Sequence, residues 1–241
     1  MRHLIQSICL LAAIAFLHPT SAFPESVVVE VGVTQIQVPV PKGFRDLSRV
    51  SPETWEFLDS AFTPPSNRLL AYFVTEDDYS QLFNGNEPDL LRSVNLQVLK
   101  TGENDFITSS KFVLIASDVK KQQNTLLSSM QEEINAYLGT ASNSIESEID
   151  LPIALSISDN VPLGVFFDWD DAFGIAYLVK VQTTVADAEQ EEVIVVACTF
   201  MRVRNKILYG YVNSEYRSSR DIIWAKQIAE LWTEQVLMAN R

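Results

Sequence analysis

Histidine is nearly absent from this chain: two among 241 residues, and both, His3 and His18, stand at the amino-terminal end. That end has its own character. Met1-Arg2-His3 precedes an apolar run from Ile8 to Leu17, and Pro19 then leads to the small residues Thr20-Ser21-Ala22. A basic start, a short apolar core and a small-residue finish are the three parts of a cleavable secretory signal. The core is roughly ten residues long, against the ~20 a membrane-spanning helix needs. The expected division is therefore a signal at 1–22 and one domain over 23–241, with no imidazole left in the latter. Such a domain cannot supply a Ser-His-Asp or Cys-His triad, nor a His-ligated zinc or haem.

Cysteine is equally scarce. Cys9 falls in the signal, which leaves Cys198 alone and excludes an internal disulfide or a thiolate cluster. Cys9 follows Ser7-Ile8 and precedes the apolar core, so it lacks the setting of a lipid-modified cysteine, and the protein reads as released and without a stable membrane anchor. Basic side chains number 18 against 31 acidic ones, a net charge of −13. That surface repels phosphate backbones and anionic lipids and argues against nucleic acid as a partner; otherwise it serves solubility. No Asn-X-Ser/Thr site occurs, because Asn143-Ser144 and Asn213-Ser214 lack the third residue. An exported domain with neither disulfide nor glycosylation site points to a bacterial periplasmic or secreted protein.

What is present is 47% hydrophobic and 20% charged, the composition of a folded domain, with no linker or repeat dividing it. Val27–Val33 and Gln35–Val40 read as an opening hairpin, closed by the turn Pro41-Lys42-Gly43-Phe44. Ser51-Pro52-Glu53 caps a helix reaching Phe62, which Thr63-Pro64-Pro65 ends. Leu69–Thr75 and Val94–Leu99 are strands joined by the polar segment Glu76–Arg92, expected as a functional loop or covering flap. From Thr108 to Gly139 apolar residues recur at three and four, predicting one long helix, with Asn124 as the point where it could break and Gly139 as its stop. Val161–Phe167, Phe173–Thr183, Glu192–Arg204 and Lys206–Glu215 form a four-strand antiparallel meander. A terminal helix follows, capped at Ser218 or Ser219, with Asp221 in its first turn and Ile222, Ala225, Ala229, Trp232, Val236 and Ala239 as one apolar stripe.

The third strand of the meander decides the architecture. Val193, Val195, Ala197, Thr199 and Met201 face one side, and Ile194, Val196, Cys198 and Phe200 the other. A strand apolar on both faces must be covered on both. The expected fold is α+β: a three-layer α/β/α sandwich on a mainly antiparallel sheet, three helices supplying the cover. The hairpin leading to Val38-Pro39-Val40-Pro41-Lys42-Gly43-Phe44, with a meander closing on a terminal helix, resembles the Mog1/PsbP-like fold group. Members with known roles, an extrinsic photosystem II subunit and a partner of a nuclear-transport GTPase among them, are mostly non-catalytic docking proteins. The resemblance implies a binding role and maps no binding residue.

Four residues concentrate the chemistry: Asp168-Trp169-Asp170-Asp171, at an expected hairpin turn. Three carboxylates could offer oxygens to Ca²⁺, but the glycine and the distant glutamate of a calcium-binding helix-loop-helix are missing, and no metal is assigned. The alternatives are an acidic turn with Trp169 folded over the sheet end, or a partner contact through Trp169. Glu76-Asp77-Asp78-Tyr79 is a second acidic group, able to form a catalytic carboxylate pair with the first only if the sheet order unites them. Cys198, mid-strand with no activating base, reads as a core residue, and Tyr209, Tyr211 and Tyr216 as strand-face residues. Ser109-Ser110-Lys111 is no Ser-X-X-Lys motif. The reading is an exported, non-enzymatic binding or accessory protein, without cofactor or assigned catalytic residue, docking a protein partner in the envelope or extracellular space. The alternatives are a carboxylate-dependent hydrolase or lyase, and a small-ligand carrier with an apolar cavity between helix and sheet.

Overall fold

In a computed structural model the described residues are 25–48, 52–84, 86, 90–123, 125, 131–149, 152–185 and 188–241. The expected signal and the cap Ser51 lie outside them. The chain opens with β1 (Ser26–Val31) and β2 (Thr34–Pro39), paired antiparallel as a separate two-stranded sheet. Period-2 alternation buries Val29, Val31, Ile36 and Val38 on one side of it. Gly32 turns the hairpin at φ +58°, where an added Cβ would lie 2.8 Å from both the Glu103 carbonyl oxygen and Asn104 Oδ1. Only glycine meets both demands without displacement.

The remaining elements are β3 (Phe44–Asp46), α1 (Pro52–Phe62), β4 (Asn67–Thr75), α2 (Glu76–Phe83), β5 (Arg92–Leu99), α3 (Ser109–Gln122), α4 (Gln131–Ile149), β6 (Ile153–Trp169), β7 (Ala172–Val185), β8 (Ala188–Val203), β9 (Lys206–Glu215) and α5 (Ser219–Ala239). Strands β3 to β9 build one seven-stranded antiparallel sheet in the order β3-β4-β5-β9-β8-β7-β6. The last four strands are the meander that the sequence predicts.

β8 is covered on both faces, as its composition requires. Val195, Ala197 and Met201 pack with the hairpin and with Ala225, Ala229, Trp232 and Val236 of α5. Val196 and Phe200 pack on the other face with Phe112 and Ala116 of α3. Leu58 of α1 joins Leu69, Tyr72 and Val74 of β4 on that second face. The result is the three-layer sandwich. α5 begins with a capping box, in which Ser218 and Asp221 satisfy each other's backbone groups. Its Trp232 is 1% exposed, donates its indole N–H to the Pro39 carbonyl at 2.8 Å and stands edge-on to Phe73.

Several expectations need correction. Glu76–Arg92 is not a flap: its first half is α2, and Gly85 and residues 87–89 lie outside the described residues. Thr75 caps α2 by accepting the Asp78 N–H and donating to the Asp78 carboxylate at 2.6 Å, so local hydrogen bonding outweighs the segment's polarity. The span from Thr108 is two helices, and Gly139 does not end the second. α4 continues to Ile149 because Leu138, Ala141 and Ser142, on either side of Gly139, are buried, and Ser142 Oγ accepts the Leu155 N–H. Tertiary packing here overrides glycine's low propensity. β6 begins at Ile153, earlier than predicted, and β3 has no counterpart in the sequence reading. Five helices are present among the described residues, not three.

Candidate docking site at the sheet end

The strand registers fix where the acidic groups stand. Trp169 pairs with Ala172, Ala172 with Met201 and Met201 with Leu208, so the β6–β7 turn lies at the end of the sheet where β9 begins. Val74 pairs with Ser93 and Ser93 with Asn213, which puts Thr75 and the Glu76–Tyr79 group at the end where β9 finishes. The two acidic groups occupy opposite ends of the sheet, so a carboxylate pair between them is excluded by topology.

Within the turn the four residues diverge. Both oxygens of Asp168 accept from Lys120 Nζ on α3, at 2.6 and 2.7 Å. Asp171 turns the other way, to Arg202 on β8. Its Oδ1 is 2.6 Å from one guanidinium nitrogen and 2.8 Å from Nε, while its carbonyl accepts the Arg202 N–H. Asp170 stands exposed at the tip. Carboxylates already bound to cations on opposite sides of a turn cannot converge on one metal ion, and the described residues hold no group of three or more His, Cys, Asp or Glu placed to bind one.

Trp169 is packed and part exposed at once. Its ring lies 4.4 Å from that of Phe167, which meets Phe166 edge-on at 5.1 Å, so it does fold against the sheet. Yet 36% of the residue remains exposed. Trp169 lines two open grooves. On the α5 side lies one of about 510 Å³, whose lining includes Arg202, Arg204, Glu234, Leu237 and Arg241. On the α3 side lies one of about 230 Å³ with Phe112, Val113, Ala116 and Lys120. Arg204 and Asn205 form the β8–β9 turn with φ of +47° and +64°, a conformation in which arginine is a strained choice.

The charged lining of these grooves was not legible as a site. Lys120, Arg202, Arg204, Glu234 and Arg241 come from three distant stretches of sequence. The one available signal was Arg204-Asn205, a short polar break between two strand runs that marks a hairpin beside the acidic turn.

At the opposite end, Glu76 pairs with Arg45 at 3.4 Å, and buried Asp78 also accepts the Leu90 N–H at 3.3 Å. These contacts cap α2 and anchor the chain that follows it. Asp77 borders a groove of about 390 Å³ in which Arg92 lies 4.2 Å over Trp224 and 3.4 Å from Asp221. Burial opposes ionisation of Asp221, but the Arg217 and Ser218 backbone N–H groups, with Ser218 and Arg92 side chains, hold its carboxyl below the usual carboxylate value. Cys198 faces Tyr211 and Ile175 in register. Burial pushes its thiol up to about 12, a hydrogen bond with Tyr211 acting in the opposite direction. Such a group is no nucleophile near neutrality. Tyr209 packs edge-on against Phe200, and burial raises its phenol as well. Both tyrosines serve the sheet face, as expected, and Tyr216 packs against the core on the hairpin side.

No family model and no curated protein matches the chain. Among solved structures, a mutant of protein Mog1 is 12% identical with a TM-score of 0.35. The Saccharomyces cerevisiae Ran-binding protein Mog1p is 11% identical with a TM-score of 0.32. Each match covers 90% of this chain and 93% of the other, a weak resemblance of fold.

Proposed function

We propose that this chain is an exported, non-catalytic docking protein that holds a protein partner at the Trp169 end of its sheet. The observation that carries this reading is the indole itself. It is clamped on Phe167 while exposing 36% of its residue surface between two grooves. A rigid aromatic anchor loses little freedom on binding, which is why tryptophan is enriched at binding hot spots. The turn that carries it is fixed from both sides by Lys120 and Arg202. Within the turn itself Asp168 and Asp171 are held apart by those same cations, so the hydrolase or lyase alternative has no carboxylate pair there.

Export rests on the sequence of residues 1–22 and places the partner in the envelope or extracellular space. Amino-terminal sequencing of protein from its native cells should read Phe23 first, and an intact Met1 would remove the export part of the proposal. The docking part is tested with a photo-crosslinking residue at Asp170 and, as a control, at the exposed Gln190 on the other end of the molecule. Capture of a defined protein from Asp170 alone supports the reading. Equal labelling from both positions, or none from Asp170, overturns it.

A further inference from the structure

We infer that the occupant of the Trp169 groove is a second copy of this chain, paired about a two-fold axis; this deepens the docking reading and rests on it. Two copies of a chain with net charge −13 repel each other, so they can meet only on a face whose own charges balance. This groove is such a face. Arg202 and Asp171 neutralise each other, and the remaining side-chain charges are Arg204 and Arg241 against Asp170 and Glu234. Among the described residues Asp170, Glu234 and Arg241 have no ion pair, and Arg204 donates to the Gln35 carbonyl at 3.3 Å. Two unspent charges of each sign on one rim complement a rotated copy of the same rim.

Shape follows the same rule. A two-fold interface uses one patch twice, so each feature must meet its complement in the partner copy. Here a part-exposed indole borders an open groove of about 510 Å³, and rotation sets each indole against the other copy's groove. Leu237 supplies an apolar wall to receive it. The arrangement brings Arg204 of one copy to Asp170 of the other, and the reverse. The backbone at Arg204, at φ +47°, carries strain that glycine or asparagine would avoid, and that strain is the cost of presenting a guanidinium at this rim.

The test is sedimentation equilibrium of the purified chain over a concentration series, with Arg204→Glu, Asp170→Arg and an equimolar mixture of the two variants. Circular dichroism melting confirms that each variant folds, since both side chains are exposed. The expected result is a monomer–dimer equilibrium that weakens roughly a hundredfold in either variant alone, where like charges meet twice. The mixture restores the dimer, because the new acid of one chain then faces the new base of the other. Added salt should loosen the wild-type dimer through screening. A wild-type chain that stays monomeric throughout, a dimer indifferent to both substitutions, or a mixture without rescue overturns the inference. If the chain is monomeric while Asp170 captures a different protein, the second-copy inference falls and the docking reading stands. If neither self-association nor capture occurs, both fall.

Discussion

Replacing Trp169 by alanine separates how much of the indole holds the fold from how much is offered to a partner. Removing a fully buried tryptophan costs about 3 to 5 kcal/mol. Trp169 is 36% exposed, so about two thirds of that penalty applies, roughly 2 to 3 kcal/mol. The space vacated opens onto two grooves that water can enter, which removes most of the cavity contribution and favours the lower figure, about 2 kcal/mol. For a domain of this size that corresponds to a drop of roughly 4 to 8 °C in Tm. Trp169→Phe keeps a ring against Phe167 and should recover most of the loss. The assay is thermal unfolding by circular dichroism alongside crosslinking capture or sedimentation of the folded variant. A loss below about 0.5 kcal/mol would show that the indole is not packed on Phe167 at all. A loss of about 5 kcal/mol or more would make it a core residue and refute its role as an exposed anchor.

Cys198, 8% exposed with its thiol raised to about 12, should resist a thiol reagent in the native state and react on unfolding; fast native labelling would contradict a doubly covered β8. Gly210→Ala should destabilise by about 1 to 3 kcal/mol in urea unfolding, since the new Cβ would lie 2.6 Å from Thr199 Oγ1 and 2.9 Å from the Trp232 ring. Glu103 is held below its ordinary value by hydrogen bonds from Arg68. A depressed carboxylate stabilises the fold above its unfolded value and loses that contribution as pH falls through the folded one. Glu103→Gln should therefore flatten the acid limb of a stability-against-pH curve, and an unchanged limb would show that the pair does not matter to folding.

The parts of the fold legible in the sequence were those in which a single pattern decides the structure. β8 is the clearest, because no one-sided sheet accommodates Val195, Ala197 and Met201 opposite Val196, Cys198 and Phe200. α5 is nearly as clear, with its Ser218–Asp221 box and its stripe through Trp232. Failures came where two local signals competed. In Thr75–Phe83 a capping pair stood inside a strongly polar run, and the polarity read as loop. At Gly139 a glycine of low helix propensity stood on a helix held by burial of its neighbours Leu138 and Ala141, which the heptad-scale pattern did not reveal. β3, three residues long, owes its existence to pairing with β4 and has no pattern of its own.

The site divides along the same line. Trp169 and its three aspartates were found because they are contiguous, but contiguity said nothing of where each carboxylate goes. That is set by residues brought alongside by the sheet order: Lys120 from a helix on one face, Arg202 from the neighbouring strand but one residue past the turn's register. Once those cations are placed, the chemistry narrows. Asp168 and Asp171 become struts for the turn, Asp170 remains as a free rim charge, and the indole is left rigid and part exposed. The two ion pairs thus turn a contiguous acidic cluster into a fixed surface that carries a part-exposed indole, and it is on that surface that the docking proposal rests.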